Sequence, residues 1–231
     1  MKRILLKLSG EALAGDNHFG FDEATVKDVA RQVKSITDAG TQVGIVIGGG
    51  NFWRGRQSNA IERTKADQIG MLATVMNCIY VSEIFRSEGM TTDVMTPFVC
   101  GAFSKLYSKD LVEEEFAQGR VLFFAGGTGH PYFSTDTATV LRAVEIEAEA
   151  IFLAKSIDGV YDSDPATNPA AVKYDEITID EVIDKQLGVM DLTASVLARE
   201  NGMPMYVFGL NGENTITDNV LGTFNGTKVT I

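Results

Sequence analysis

The sequence predicts an α/β fold, a largely parallel central sheet lying between layers of helix. Short apolar runs alternate with amphipathic stretches along the chain, the mark of repeated strand–helix units. Three of those runs end directly in glycine. The 231 residues are 45% hydrophobic, enough for one sizeable core, so residues 1–231 are expected to form a single domain.

The first strand is read at Arg3–Leu8. Residues 22–39 follow as a helix: Val26, Val29, Ala30, Val33 and Ile36 recur at three- and four-residue spacing, Asp22 suits the N-cap, and Gly40 suits the C-terminal stop. Gln42–Ile47 is the second strand. Further strands are predicted at 92–95, 120–124, 150–154 and 205–208, and helices at 66–85, 108–118, 137–147 and 192–201. Residues 162–171, with Asp164-Pro165 and Asn168-Pro169, form the most loop-like stretch, and no repeat or linker divides the chain.

Bulk properties exclude several functions. A net charge of −11 would repel polymeric DNA or RNA, whose binding depends on Lys and Arg neutralising phosphates. The apolar stretch Ile4-Leu5-Leu6 is broken by Lys7 before it reaches signal-peptide length, and no apolar run approaches the ~20 residues of a bilayer span, so a cytoplasmic protein without a membrane segment is expected. Cys78 and Cys100 lack the paired spacing of a zinc site and are expected as buried fillers. An acidic chain that binds a small phosphorylated ligand must gather cations and backbone N–H donors in one place.

Glycine marks that place. Ser9-Gly10 follows the first strand, Gly48-Gly49-Gly50 the second, and Gly126-Gly127-Thr128-Gly129 the 120–124 run. Ligands of open α/β sheets bind outside the carboxyl ends of strands, and glycine lets the main chain approach a phosphate closely. Each group alone would also serve as a tight turn; three together favour a site. Lys7 precedes the first group, and Arg54 and Arg56 follow the second. Lys7 sits between Leu6 and Leu8, where an exposed strand residue is the competing account, and Arg56 is better read as a solvated loop charge. There is no Walker A sequence, dinucleotide fingerprint or protein-kinase catalytic loop, and His18 and His130 have no triad or zinc partner at useful spacing.

Taken in order, the motifs resemble the amino-acid kinase superfamily and, within it, the bacterial uridylate (UMP) kinases, over nearly the whole chain. They are Lys7-Leu8-Ser9-Gly10-Glu11-Ala12-Leu13, Val46-Ile47-Gly48-Gly49-Gly50-Asn51 with Arg54-Gly55, and Ala66-Asp67 with Gly70-Met71-Leu72-Ala73-Thr74. Then come Gly127-Thr128-Gly129, Pro131, Thr135-Asp136, Asp158-Gly159-Val160-Tyr161 with Asp164-Pro165, and Met190-Asp191-Leu192-Thr193. Asp67 with Gly-Met-Leu-Ala-Thr separates this group from acetylglutamate, aspartate and carbamate kinases.

The resemblance implies an αβα sandwich and transfer of phosphate from ATP to UMP. It implies that Lys7, Leu8, Ser9 and Gly10 bind ATP phosphates, that Gly50 and Arg54 continue the cradle, and that Lys155, Tyr161 and Asp164 lie along ATP. Gly49 and Asp67 would contact UMP, wrapped by Thr128, Gly129, His130, Pro131, Tyr132, Phe133, Ser134 and Thr135. Mg²⁺ carried with ATP, a homohexamer, GTP activation and UTP inhibition are also implied, the GTP response falling on Gly15, Asp16, Asn17, His18, Phe19 and Gly20. The chain departs from the pattern at Ala154-Lys155-Ser156, where relatives often read Ala-Thr-Lys, and at His130, where Asn is frequent.

A UMP phosphate is already ionised at neutral pH, so its attack needs no strong base, and in-line positioning plus charge stabilisation carry catalysis. Lys7 and Arg54 are the candidate cations, and Asp136 the carboxylate that orients Lys7, with no dedicated metal cage. Asp136 and Asp67 each have a second reading as helix N-caps. Met71, Met76 and Met90 are read as core or subunit contacts, and Trp53 as pocket wall or packing. Two other functions fit the motifs: a family member with a carboxylate acceptor, and a non-catalytic nucleotide-binding storage or sensor protein.

Overall fold

The computed structural model describes residues 1–17, 19–53, 60–210 and 214–231. The chain opens with β1 (Arg3–Leu8), a short α1 (Gly10–Leu13), a 3₁₀ turn at Gly15–Asn17, α2 (Glu23–Asp38) and β2 (Gln42–Ile47). It continues through α3 (Arg63–Ser87), β3 (Thr92–Thr96), β4 (Lys105–Leu106), α4 (Lys109–Ala117), β5 (Val121–Phe124), α5 (Thr135–Glu145) and β6 (Ala150–Lys155). The last part holds β7 (Val160–Tyr161), β8 (Lys173–Tyr174), β9 (Glu176–Thr178), α6 (Ile179–Asp184), α7 (Leu192–Glu200), β10 (Met205–Gly209), α8 (Thr215–Leu221) and β11 (Thr227–Thr230).

Among the described residues, nine strands form one sheet in the order β4-β3-β5-β2-β1-β6-β10-β11-β9. Every pairing in it is parallel except β10 with β11. The predicted α/β class and largely parallel sheet therefore hold. β7 and β8 make a separate antiparallel pair around the loop-like 162–171 stretch. Sequence patterning missed β4, β7, β8, β9 and β11, which are two to four residues long, too short for a periodicity to register.

Strand side chains alternate between two cores. Ile4, Leu6 and Leu8 of β1 pack with α2, α3 and α8, whereas Leu5 packs on the other face with α4, α5 and α7. Lys7 shares the face of Leu5, two residues on, at the carboxyl end of the strand. That places it against the start of α5. Because β5, β2 and β1 are neighbours, the glycine groups that follow them leave the same edge of the sheet side by side.

The helix from Glu23 to Asp38 starts as expected, with the Asp22 carboxylate accepting the Thr25 N–H and Gly40 at φ 92° just past its end. α3 begins earlier than predicted, capped by Glu62. By length and apolar composition α3 would pass for a bilayer-spanning helix, contrary to the sequence expectation. Its inner face instead packs in the protein core through Val75, Cys78, Val81 and Phe85 and buries the polar Asn77 and Ser82. Ile69, Leu72, Met76 and Ile79 stand exposed on its outer face. Cys78 is buried as expected, its thiol pKa raised by desolvation, but Cys100 is partly exposed.

Gly44 in central β2 tests the packing. A Cβ there would come within 2.8 Å of Phe124, 3.0 Å of Ile146 and 3.1 Å of Leu5. Gly44→Ala is expected to cost about 1–3 kcal/mol, the usual effect of overpacking a tight core. A lower urea midpoint at unchanged slope is the expected reading; an unchanged midpoint would show that the two cores yield at this strand.

Candidate active site

Among the described residues, three of the cavities lie along the carboxyl edge of the sheet. The central one, about 240 Å³, lies among Lys7, Ser9, Gly10, Gly48-Gly49-Gly50 and Ser134-Thr135-Asp136. The Lys7 ammonium donates to the Asp136 carboxylate at 2.6 Å. Asp136 is not the cap of α5, as one sequence reading had it. The helix starts earlier, and the Ser134 hydroxyl accepts the N–H groups of Asp136 (3.0 Å) and Thr137 (3.2 Å). Ser134 in turn donates to the carboxylate of Asp191, which caps α7 by accepting the Ala194 N–H at 2.9 Å. With its capping duty taken by Ser134, Asp136 is left to bind Lys7. Burial alone would raise the Asp136 carboxyl; the charge and hydrogen bond of Lys7, the charge of Lys155 and the Asp191 N–H together hold it below the usual value.

Gly10 must be glycine here, because a Cβ would collide with the Gly48 carbonyl oxygen and lie 2.5 Å from Asn51 Oδ1. Leu8, expected beside ATP, points its side chain into the core, and its carbonyl accepts the Gly48 N–H at 3.1 Å. It shapes the site through the backbone alone.

The second cavity, about 400 Å³, is lined by Lys155, Ile157, Tyr161, Asp164 and the 185–189 loop. It brings together Lys155, Tyr161 and Asp164 as the sequence suggested. The 185–189 loop was missed; only the adjacent Met190-Asp191-Leu192-Thr193 motif hinted at it. Half-buried Lys155 donates to the carbonyls of Gly188 (3.2 Å) and Val189. Desolvation, reinforced by the charge of Lys7 and opposed by Asp136, lowers its pKa to about 8. The Tyr161 hydroxyl donates to Asp158 at 2.7 Å.

The third cavity, about 200 Å³, shares Gly49, Gly50, Ser134 and Thr135 with the first and adds Asp67, Thr128, His130 and Phe133. Asp67 lies inside α3, whose cap is the Glu62 carboxylate accepting the Thr64 N–H at 2.8 Å, so the capping account of Asp67 fails too. The Asp67 carboxylate accepts from Arg63 Nε at 2.8 and 2.9 Å and from the Tyr132 N–H at 2.8 Å. Arg63 lines the cavity and was missed, although its four-residue spacing from Asp67 on a helix was a legible signal. Tyr132 takes a left-handed φ of 72° and turns its ring outward, and Gly129 packs against Pro97; neither these two nor Pro131 lines the cavity. Met71, read as core or subunit contact, is part of the cavity wall, as is Trp53, whose indole N–H donates to the Ala66 carbonyl at 2.8 Å.

Arg54, Arg56 and His18 lie outside the described residues. The described part of the 15–20 segment abuts the loop that follows β2: Phe19 meets Phe52 edge to face at 5.3 Å, and the Gly20 N–H donates to the Asn51 carbonyl at 3.2 Å. Among the described residues no cluster of His, Cys, Asp and Glu could hold a metal ion.

A family model described as the amino acid kinase family matches residues 2–209. The chain belongs to the amino acid kinase family. Among its relatives is a uridylate kinase of Marinobacter nauticus, 45% identical over 230 residues, which are 99% of this chain and 95% of the relative. A UMP kinase structure from Bacillus anthracis superposes with a TM-score of 0.94 at 35% identity, covering 99% of this chain and 96% of that one. One from Ureaplasma parvum gives 0.93 at 34%, covering 100% and 99%. Two of the cavities lie either side of the central one, which a lysine, a carboxylate and the glycines of two turns line.

Lys155 supplies a pH test. It is charged below about pH 8 and neutral above. Turnover that uses this charge is expected to fall on the alkaline side, and Lys155→Arg, whose guanidinium stays protonated, should flatten that limb. A limb that persists unchanged in the arginine variant assigns the titration to another group.

Proposed function

We propose that this protein transfers the γ-phosphoryl group of ATP to UMP, forming UDP and ADP, a step of pyrimidine nucleotide biosynthesis. The observation that carries it is the meeting of Lys7, Asp136 and two glycine groups between two cavities, in a chain whose relatives are uridylate kinases. ATP would lie along Lys155, Tyr161 and Asp164 with its phosphates toward Lys7 and Gly10. UMP would occupy the Asp67 cavity, its ribose hydroxyls donating to the carboxylate that now accepts from Arg63 and Tyr132.

The attacking oxygen of UMP is ionised at neutral pH, so no residue need remove a proton. Catalysis then rests on alignment, worth up to ~7–11 kcal/mol when reactants are held well, and on charge. Lys7 would stabilise the negative charge on the transferring group, with Arg54 as its proposed second cation, and Asp136 would hold Lys7 in place. Asp136 is already engaged by Lys7, which suits a Mg²⁺ held mainly by nucleotide oxygens and water rather than by a protein cage. Such an ion would neutralise phosphate charge. Asp67 in the acceptor cavity disfavours a carboxylate acceptor, which it would repel.

The exposed apolar stripe Ile69, Leu72, Met76 and Ile79 on α3 supports assembly into an oligomer, a hexamer in our reading. GTP and UTP as effectors, with the 15–20 segment in the GTP response, and a cytoplasmic location belong to the same proposal.

An ADP-release assay with UMP, CMP, AMP, acetylglutamate and aspartate tests it. Turnover with UMP well above the others is expected; turnover absent with UMP, or equal across acceptors, contradicts it. Lys7→Ala should lower kcat by roughly 10²–10³, the effect of losing one preorganised charge-stabilising donor, while the variant keeps its fold by circular dichroism. Wild-type turnover in that variant would remove Lys7 from the chemistry.

A further inference from the structure

We propose that Asn77, in the middle of α3, is a positioning residue for phosphoryl transfer, acting through Asn51 and the Gly48 carbonyl on the amide of Gly49. The proposal rests on the kinase reading above.

Asn51 and Asn77 are almost wholly buried, at 1% and 0% exposure. Their amides form a reciprocal pair: Asn77 Nδ2 donates to Asn51 Oδ1 at 2.8 Å, and Asn51 Nδ2 donates to Asn77 Oδ1 at 3.1 Å. Each amide also donates to a backbone carbonyl, Asn77 to Gly48 and Asn51 to Gly20, both at 2.7 Å. A carbonyl can only accept, so these two contacts fix the orientation of both side chains. Both amino groups are then saturated.

Two buried amides are a poor way merely to fill space, since an unsatisfied one is costly and an apolar pair of the same shape is nearly neutral. What this pair holds is backbone. The Gly48 N–H is tied to Leu8 at 3.1 Å and its carbonyl to Asn77. The peptide joining Gly48 to Gly49 is trans and planar, so pinning the carbonyl toward α3 sends the Gly49 N–H the opposite way. Gly49 lines both the central and the acceptor cavities, and its N–H has no acceptor among the described residues. Asn77 thus aims a donor at the space where the transferring phosphate must pass while touching no part of that space itself. Through Asn51 the same pair binds the 15–20 segment and fixes the wall against which Gly10 packs.

Asn77→Asp keeps the shape and, when ionised, cannot donate to Gly48. With wild-type protein assayed in parallel on ATP and UMP, its kcat is expected to fall about 10- to 100-fold, the scale of a sub-ångström to ångström misplacement, while KM for UMP changes much less. A purely structural role would lower only the folded fraction and leave kcat per folded molecule, followed by circular dichroism, at the wild-type value; that result overturns the proposal. Should Asn77→Asp not fold, Asn77→Ser, which buries no charge and is too short to hold the Gly48 carbonyl, decides by the same split. Absence of UMP turnover in the wild type would strike the kinase reading instead, and an active wild type with an unaffected variant strikes only the role of Asn77.

Discussion

The contact between Lys7 and Asp136 is the constraint on which the rest of the site depends. It joins the end of the central strand to the first turn of α5, and it forms because Lys7 faces the α5 side of the sheet at the point where the strand stops. Two cations, Lys7 and Lys155, act on one carboxylate, so a protein of net charge −11 gathers cationic side chains at one edge of its sheet. The desolvation that raises a lone buried carboxyl is outweighed for Asp136 by these neighbours, whereas the burial of Lys155 itself, with the charge of Lys7, lowers the Lys155 pKa despite Asp136. From the same pair a chain of contacts runs through Ser134 to Asp191 and so to α7.

Backbone does the remaining positioning. Parallel neighbours β5, β2 and β1 release their glycine turns on one edge, and glycines of the β1 and β2 turns line one small volume together with Lys7 and Asp136. Close approach without a Cβ is required at Gly10, where the Gly48 carbonyl and Asn51 leave no room for one. The Asp67 cavity is held differently, by Asp67 gripping the Tyr132 amide and by the Thr74 hydroxyl accepting the Gly126 N–H at 2.8 Å, so α3 steadies the loop that follows β5.

Much of this was legible in the sequence, and the failures share a cause. Periodicity located the long helices and the central strands, and the cation beside glycine pointed to Lys7. Asp136 and Asp67 were open to being read as caps because their helices were predicted to start near them; the helices begin earlier, at Ser134 and Glu62, whose capping chemistry is equally ordinary. Leu8 was carried into the site by its motif although the alternation of β1 sends it to the core. Arg63 was legible as the i,i+4 partner of Asp67 but lay before the predicted start of its helix; the 185–189 loop and the Asn51–Asn77 pair act through contacts between residues far apart in the chain or through backbone, and local composition does not encode such contacts. The short strands β9 and β11 form because the sheet offers an edge to pair with, not because their own residues insist on it.

The central claim is that two nucleotides are held end to end across Lys7 and the glycine amides. Titration calorimetry with a uridine–adenosine conjugate joined by five phosphates measures this most directly. The account predicts affinity far above that of ATP or UMP alone and competition with both, because one molecule would span both cavities and the centre between them. A conjugate that binds no more tightly than one nucleotide and is displaced by only that nucleotide would contradict it.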